Sequence, residues 1–197
     1  SGADAAESGS QSVTITITEN DSSPTVTLAT SATSIAENAG SSLTLTATSS
    51  IVADEDITVS ISTSGTGTEG TDYSTISDIT ISAGATTGTA TFTPTDDSTY
   101  EGNETGIVAI SGVSGADAAE SGTQSVTITI TEDDSAPTVT LATSASSIAE
   151  NAGSSLTLTA TLSNPTTADV TVGISTSGTG TEGTDYSTIS DITISAG

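Results

Sequence analysis

Residues Ser1–Gly84 recur as Ser114–Gly197 without a gap: 72 of the 84 positions are identical, at a spacing of 113. Solenoid units run roughly 20–50 residues, whereas a unit of this length matches one independently folded domain. The expected array is beads on a string. Most of the divergence falls in Ser49–Ser60 against Leu162–Gly173, which reads as a variable loop and its flank.

The turn signal Asp21-Ser22-Ser23-Pro24 and its copy Asp134-Ser135-Ala136-Pro137 set the phase, because each follows a strand-like run. Residues 1–21 are read as the C-terminal strand of a preceding repeat. Residues 22–134 are read as one complete repeat, and 135–197 as the first part of a following one. The chain is on this reading a piece of something longer.

Ser12–Thr18 reads S-V-T-I-T-I-T, with Val13, Ile15 and Ile17 on one face and Thr on the other. The same period of two runs through Thr25–Leu28, Ser42–Thr48, Asp56–Ser62, Asp78–Ser82 and Thr89–Pro94, while Thr105–Ser111 is more continuously apolar. β-Branched residues dominate these runs and Gly, Asn, Asp and Ser fill the breaks. About seven short strands per repeat predict an all-β fold: tandem antiparallel immunoglobulin-like β-sandwiches with a thin aliphatic core.

The chain has 25 acidic residues and no Lys, Arg, His, Cys, Met or Trp, for a formal charge of −25. The side chains that build a Ser/His/Asp triad, a thiol nucleophile, a Schiff base or a His/Cys zinc site are absent. No phosphate clamp is available, so nucleic acid is repelled. Carboxylates alone serve glycosidases, but one Phe and three Tyr leave little aromatic surface for sugar. An enzyme is not expected. No apolar run is long enough to insert into a membrane.

The acids gather at strand ends. Within 22–134 they are Glu37 in S-I-A-E-N-A-G, Asp72 in G-T-D-Y, the run Asp96-Asp97-Ser98-Thr99-Tyr100-Glu101-Gly102-Asn103-Glu104, and Glu132-Asp133-Asp134. Strand ends alternate between two poles, so these groups can converge at one. Carboxylates packed that closely without a basic partner either protonate or take up hard cations. An oxygen-only cluster suits Ca²⁺ better than zinc or copper. Spacing alone leaves a second reading open, in which these are solvated loop acids that maintain solubility.

The motifs V-T-L-A-T-S-A-T-S-I-A-E-N-A-G, G-T-D-Y, D-D-x-x-x-E-x-x-E and T-I-T-I-T-E-D-D occur in that order across 22–134. Together they resemble the Calx-β domain, a family that includes calcium-sensing domains of sodium–calcium exchangers and tandem modules of large bacterial surface proteins. The resemblance implies calcium ligands at Glu37, Asp72, Asp96, Asp97, Glu101, Glu132, Asp133 and Asp134, with a main-chain carbonyl from Thr99. Glu104 matches a further acidic position. Glu150 and Asp185 match in the following repeat. Glu19 and Asp21 match the closing acids of the preceding one, where Asn20 replaces the middle acid.

Other acidic stretches read differently. Gly65–Tyr73 is expected to be a turn rather than a calcium-binding β-roll. Asp4, Glu7, Asp117 and Glu120 read as exposed hairpin loops, and Asp54-Glu55-Asp56 as a solvated edge. Asn20 and Asn103 fit the glycosylation sequon.

The expected function is a calcium-binding, adhesive or structural stalk of a secreted or cell-surface protein. The expected partners are neighbouring repeats of the same chain. A self-assembling extracellular filament and a calcium-sensing domain of a membrane transporter are the alternatives.

Overall fold

The computed structural model describes residues 4–6, 8–18 and 20–197. Its elements are all strands, and among the described residues no helix is long and apolar enough to cross a membrane. Nine strands fall between residues 25 and 131: β1 (Thr25–Thr30), β2 (Ser34–Ala36), β3 (Leu43–Ser49), β4 (Ile57–Gly65), β5 (Ile79–Ile81), β6 (Thr87–Phe92), β7 (Glu104–Ser114), β8 (Ala119–Glu120) and β9 (Ser125–Thr131). They form two sheets, ordered β6-β3-β1-β8 and β2-β9-β7-β4-β5.

Pairing is antiparallel except at two edges, where β8 runs parallel to β1 and β2 parallel to β9. These two short strands lie outside the runs read from the sequence. Two or three residues are too few to display a period.

Alternation along the strands makes the core. Val26, Leu45, Ala47, Ile57, Val59, Ile79, Ile81, Phe92, Val108 and Ile128 are almost wholly buried. Their Thr and Ser neighbours face outward, as the period of two requires. Tyr73 lies in this core and stacks on Phe92 with ring centroids 4.6 Å apart. Gly106 of β7 makes room for that ring, since a Cβ there would meet Phe92 Cε2 at 2.7 Å. β7 spans 11 residues, roughly 35 Å at strand rise, and so connects the two poles of the sandwich.

The chain beyond residue 135 repeats part of this plan. β10 (Val139–Thr143) pairs with β11 (Leu158–Leu162), and β12 (Val170–Val172) with β13 (Ile192–Ile194). The registers are those of β1–β3 and β4–β5 shifted by the repeat: Val139↔Leu162 corresponds to Val26↔Ser49, and Val170↔Ile194 to Ile57↔Ile81.

One predicted strand does not form. Ser12–Thr18 has the same sequence as β9 yet belongs to no sheet, and Ile17 is 92% exposed where its counterpart Ile130 is 4% exposed. β9 is held between β7 and β2. No strand pairs with Ser12–Thr18 among the described residues, and a strand persists only with a ladder to join.

Several acids brace the backbone instead of the predicted site. Asp78 accepts the Ile61 N–H at 2.9 Å where the β4–β7 register shifts. Glu69 accepts Ile76 N–H and Thr63 Oγ1, each at 2.6 Å. Two expectations are corrected here. Asp56 is more than a solvated edge, because it accepts Ala83 N–H at 2.7 Å. Glu120 is half-buried and accepts the Gln124 N–H rather than standing free in a loop. Chains rich in Ser, Thr and Asp use such side-chain acceptors wherever a turn leaves a donor unmatched.

Candidate metal centre

The acidic pole is built where β2, β7 and β9 meet the 66–73 turn and the 95–103 loop. Glu37 follows β2 directly, and its N–H donates to the Thr131 carbonyl at 3.0 Å. That bond places a buried carboxylate beside the end of β9. Asp72 sits in the turn expected at Gly65–Tyr73, with its Oδ2 accepting Thr68 N–H and its carbonyl accepting Thr95 N–H at 2.9 Å. The same residue therefore shapes the turn and ties it to the acidic loop.

Glu132 organises the exit strand. Its Oε2 accepts the N–H groups of Glu101 and Gly102, each at 2.7 Å, and its Oε1 accepts Asp134 N–H at 2.8 Å. Asn103 Oδ1 accepts Glu132 N–H at 3.0 Å. Asn38 Nδ2 donates to Asp133 Oδ2 at 2.6 Å, and Asp97 Oδ1 accepts Thr99 N–H at 2.6 Å.

Three triads of carboxylates bring one oxygen from each member within 4.8 Å of the others: Glu37–Glu132–Asp133, Glu37–Asp97–Glu101 and Asp72–Glu101–Glu104. Glu37 and Glu101 are shared, so the triads join into one cluster. Asp134 and Asp96 adjoin it, since Asp133, Glu132, Asp97 and Asp96 all lie near enough to act on the Asp134 carboxyl. Thr99 lies between Asp97 and Glu101 in the loop. Glu104 is a full member, beyond the further acidic position that the family resemblance implied.

The electrostatics follow from crowding. Burial, then the charges of Glu132, Asp97 and Asp133, lift the Glu37 carboxyl from 4.5 to about 7, against a hydrogen bond from the Asp97 backbone. Burial, then Asp72, Glu101 and Glu132, lift Glu104 to about 7. Glu101 is raised by burial and then by Asp72, Asp97 and Glu132. Asp134 is raised by desolvation and then by Asp133, Glu132, Asp97 and Asp96. Glu132 is lowered: burial works upward, but backbone N–H donors from Glu101, Asp134, Gly102 and Asp133 outweigh it. One pole thus holds carboxylates that resist ionisation around one that is fixed as an anion.

The remaining expected ligands stand apart. Glu150 and Asp185 are exposed and join no acidic triad among the described residues. Asp185 accepts Thr181 N–H at 2.7 Å, which shapes its turn as Asp72 does. Asp21 lies at the opposite pole, beside Pro24 and Val113. Glu19 lies outside the described residues. Asn38 supports the site without having been singled out from the sequence, where an Asn beside an acid reads simply as a turn, and Asn103, read there only as a glycosylation sequon, supports it by accepting the Glu132 N–H.

A sandwich with an oxygen-only acidic pole defines a binding module. The Calx-beta domain family matches residues 19–134 and again 132–193, and the chain belongs to that family. It is a family of binding and regulatory domains. Two solved structures are similar, each with 17% identity and a TM-score of 0.47. One, the apo-form Calx CBD1 domain, is covered over 99% of its length by 56% of this chain. The other, CBD12 from CALX1.2, is covered over 44% of its length by 55% of this chain. No curated protein sequence matches it.

The donors fit a hard cation. They are all oxygens, and Asp134 Oδ2 is buried with no hydrogen-bond partner among the described residues, as expected of an atom whose counterpart is an ion. With no Lys or Arg in the chain, no side-chain cation can pair with the cluster.

Proposed function

We propose that this chain is a calcium-binding structural repeat from the stalk of a large secreted or cell-surface protein. The carrying observation is the joined set of acidic triads around Glu37 and Glu101, with Asp134 Oδ2 left unmatched. Glu37, Asp72, Asp97, Glu101, Glu104, Glu132 and Asp133 would hold the ion, with Asp96, Thr99 and Asp134 at the margin. Calcium accepts six to eight oxygens in flexible geometry, whereas magnesium requires near-ideal octahedra and retains water. A crowd of carboxylates from four separate segments suits the first.

Bound calcium supplies the positive charge that the chain's own side chains lack. Glu132 already fixes the 101–102 loop to the exit of β9, and Asp133 and Asp134 continue into the next repeat. Ligation there would hold the exit direction and turn a self-repelling string into an extended rod. Near-identical repeats suit a spacer, because copying a unit extends reach. An acidic surface without Lys or Arg resists self-association and offers no trypsin-type cleavage site, which favours a place outside the cell.

Calcium titration of the full chain by calorimetry, with magnesium as control and thermal unfolding in parallel, tests the binding. Heat and stabilisation at millimolar calcium support the proposal, and the absence of both overturns it. Small-angle scattering with calcium and with chelator tests the rod: an unchanged maximum dimension refutes it.

One observation favours the filament reading as well. Val13, Ile15 and Ile17 are exposed on a segment identical to β9. Such a segment can complete a sheet of another copy by strand exchange. Electron microscopy of the purified chain separates filaments from single molecules.

A further inference from the structure

Tyr100 lies in the acidic loop and also touches the following repeat. Its N–H donates to the Pro165 carbonyl at 3.2 Å, and it bridges in parallel to Thr166, which is only 9% exposed. The segment it meets, Asn164-Pro165-Thr166, belongs to the stretch where the two repeats differ most. One repeat earlier the same positions are Ile51, Val52 and Ala53.

The two segments share a backbone arrangement. Gly84 N–H donates to the Ala53 carbonyl at 2.8 Å, and Gly197 N–H donates to the Thr166 carbonyl at 3.1 Å. Their exposure differs. Ile51 is 41% exposed and Val52 59% exposed, and with Pro24, Val113 and Ala116 they form the apolar part of a largely polar cleft of about 810 Å³ that Asp21, Asp54, Glu55 and Asp117 also line. Two adjacent large aliphatic side chains are thus open to water within the folded repeat, where the core strands bury or partly bury their Ile, Leu and Val side chains. Exposed apolar surface set in a cleft marks a contact site. The far wall is a built feature: Ala116 and Asp117 hold left-handed backbone at φ 51° and 52°, and Ala116 and Ala118 pack on the core.

We infer that the Ile51–Val52–Ala53 cleft is the seat for the Asp-Asp-Ser-Thr-Tyr loop of another repeat of this sequence. Its tyrosine N–H meets the Val52 carbonyl as Tyr100 meets Pro165. The inference rests on the tandem-repeat reading, and the occupant is fixed by continuity with the joint already formed at Tyr100. The variable loop then acts as the adaptor of each joint. Asp54 and Glu55 replace Thr167 and Ala168 at its rim, so the acidic incoming loop meets more repulsion here. Docking at Val52 is accordingly strengthened by salt, which screens like charges.

The chain has no cysteine, so single introduced thiols report cover. In the 197-residue chain, Pro165→Cys reacts with a thiol reagent about tenfold more slowly than Val52→Cys, because local opening must precede reaction. A lengthened chain, with a further copy of residues 22–113 joined ahead of Ser1, slows the thiol at position 52 by about tenfold and leaves position 165 unchanged. Replacing the added copy's tyrosine with proline removes the N–H donor and restores the fast rate. Equal rates at position 52 in both chains overturn the inference, as does slowing that survives the proline. If position 165 becomes fast in the lengthened chain, the fold is disturbed, and the same comparison with Ile51→Cys decides. Rates are read in calcium and in chelator. A calorimetric failure to bind calcium would sink the proposed function without altering this comparison.

Discussion

The Glu132 carboxylate accepts the Glu101 N–H at 2.7 Å, so the last strand of the repeat and the loop bearing Asp97 are one mechanical unit. The same carboxylate also takes Gly102 and Asp134 N–H groups. Glu132→Ala leaves these donors without their acceptor and costs about 1–3 kcal/mol. Glu132→Gln retains an acceptor oxygen and costs less. Urea unfolding in chelator ranks the two variants. An alanine variant as stable as the parent would show that the hydrogen bonds do not hold this pole.

Stability of the ion-free protein depends on pH through Glu37 and Glu104. Their folded values of about 7 lie above the ordinary 4.5. Between those values the unfolded chain has released protons that the folded chain still binds, so stability falls as pH rises across that window. It is fully present below about 4.5 and flat again above about 7. Glu37→Gln flattens part of this fall and raises the unfolding temperature of the ion-free protein at neutral pH, while weakening calcium binding. Thermal melts in chelator at several pH values check the sign; stability that rises across the window would contradict it.

Gly106 gives a packing test independent of charge. A Cβ at this position meets the Phe92 ring at 2.7 Å from Cε2 and 2.9 Å from Cζ. Both rings of the Tyr73–Phe92 stack are buried, so there is nowhere for Phe92 to retreat. Gly106→Ala therefore destabilises by about 1–3 kcal/mol, as overpacked cores do. Denaturant midpoints measure it, and a neutral result would mean that the ring pair can slide.

Much of this architecture is legible in the sequence, for reasons that differ by element. β3 and β6 show themselves because Thr alternates with Leu, Ala or Phe, and only Gly88, at the start of β6, breaks the pattern. The acidic pole shows itself because acids sit at strand ends, and an antiparallel sandwich returns alternate ends to one side. β2 and β8 do not show, because their pairing depends on where the chain passes an edge. Asp56 misleads, and the roles of Asp78 and Glu69 go unseen, for a related reason. Their value lies in a backbone N–H across the fold, which no local pattern records. Asn38 and Asn103 are hidden likewise, since their partners Asp133 and Glu132 lie far away in sequence.

Ser12–Thr18 and Ser125–Thr131 carry this argument furthest, because they are the same seven residues in two settings. Sequence alone assigns both to strands. Ile128 is fully buried in β9, whereas Ile15 stands in water. Ile128→Asp places a carboxylate in the apolar interior with no cation to meet it, which costs more than about 4 kcal/mol and unfolds a thin core. Ile15→Asp changes the stability of residues 25–131 by less than about 0.5 kcal/mol, as surface changes do. Circular dichroism melts of both variants at low protein concentration make the comparison. Equal losses would mean that Ser12–Thr18 is packed in solution. If Ile15→Asp left the melt unchanged but abolished assembly at high concentration, the exposed strand would be the contact through which copies join.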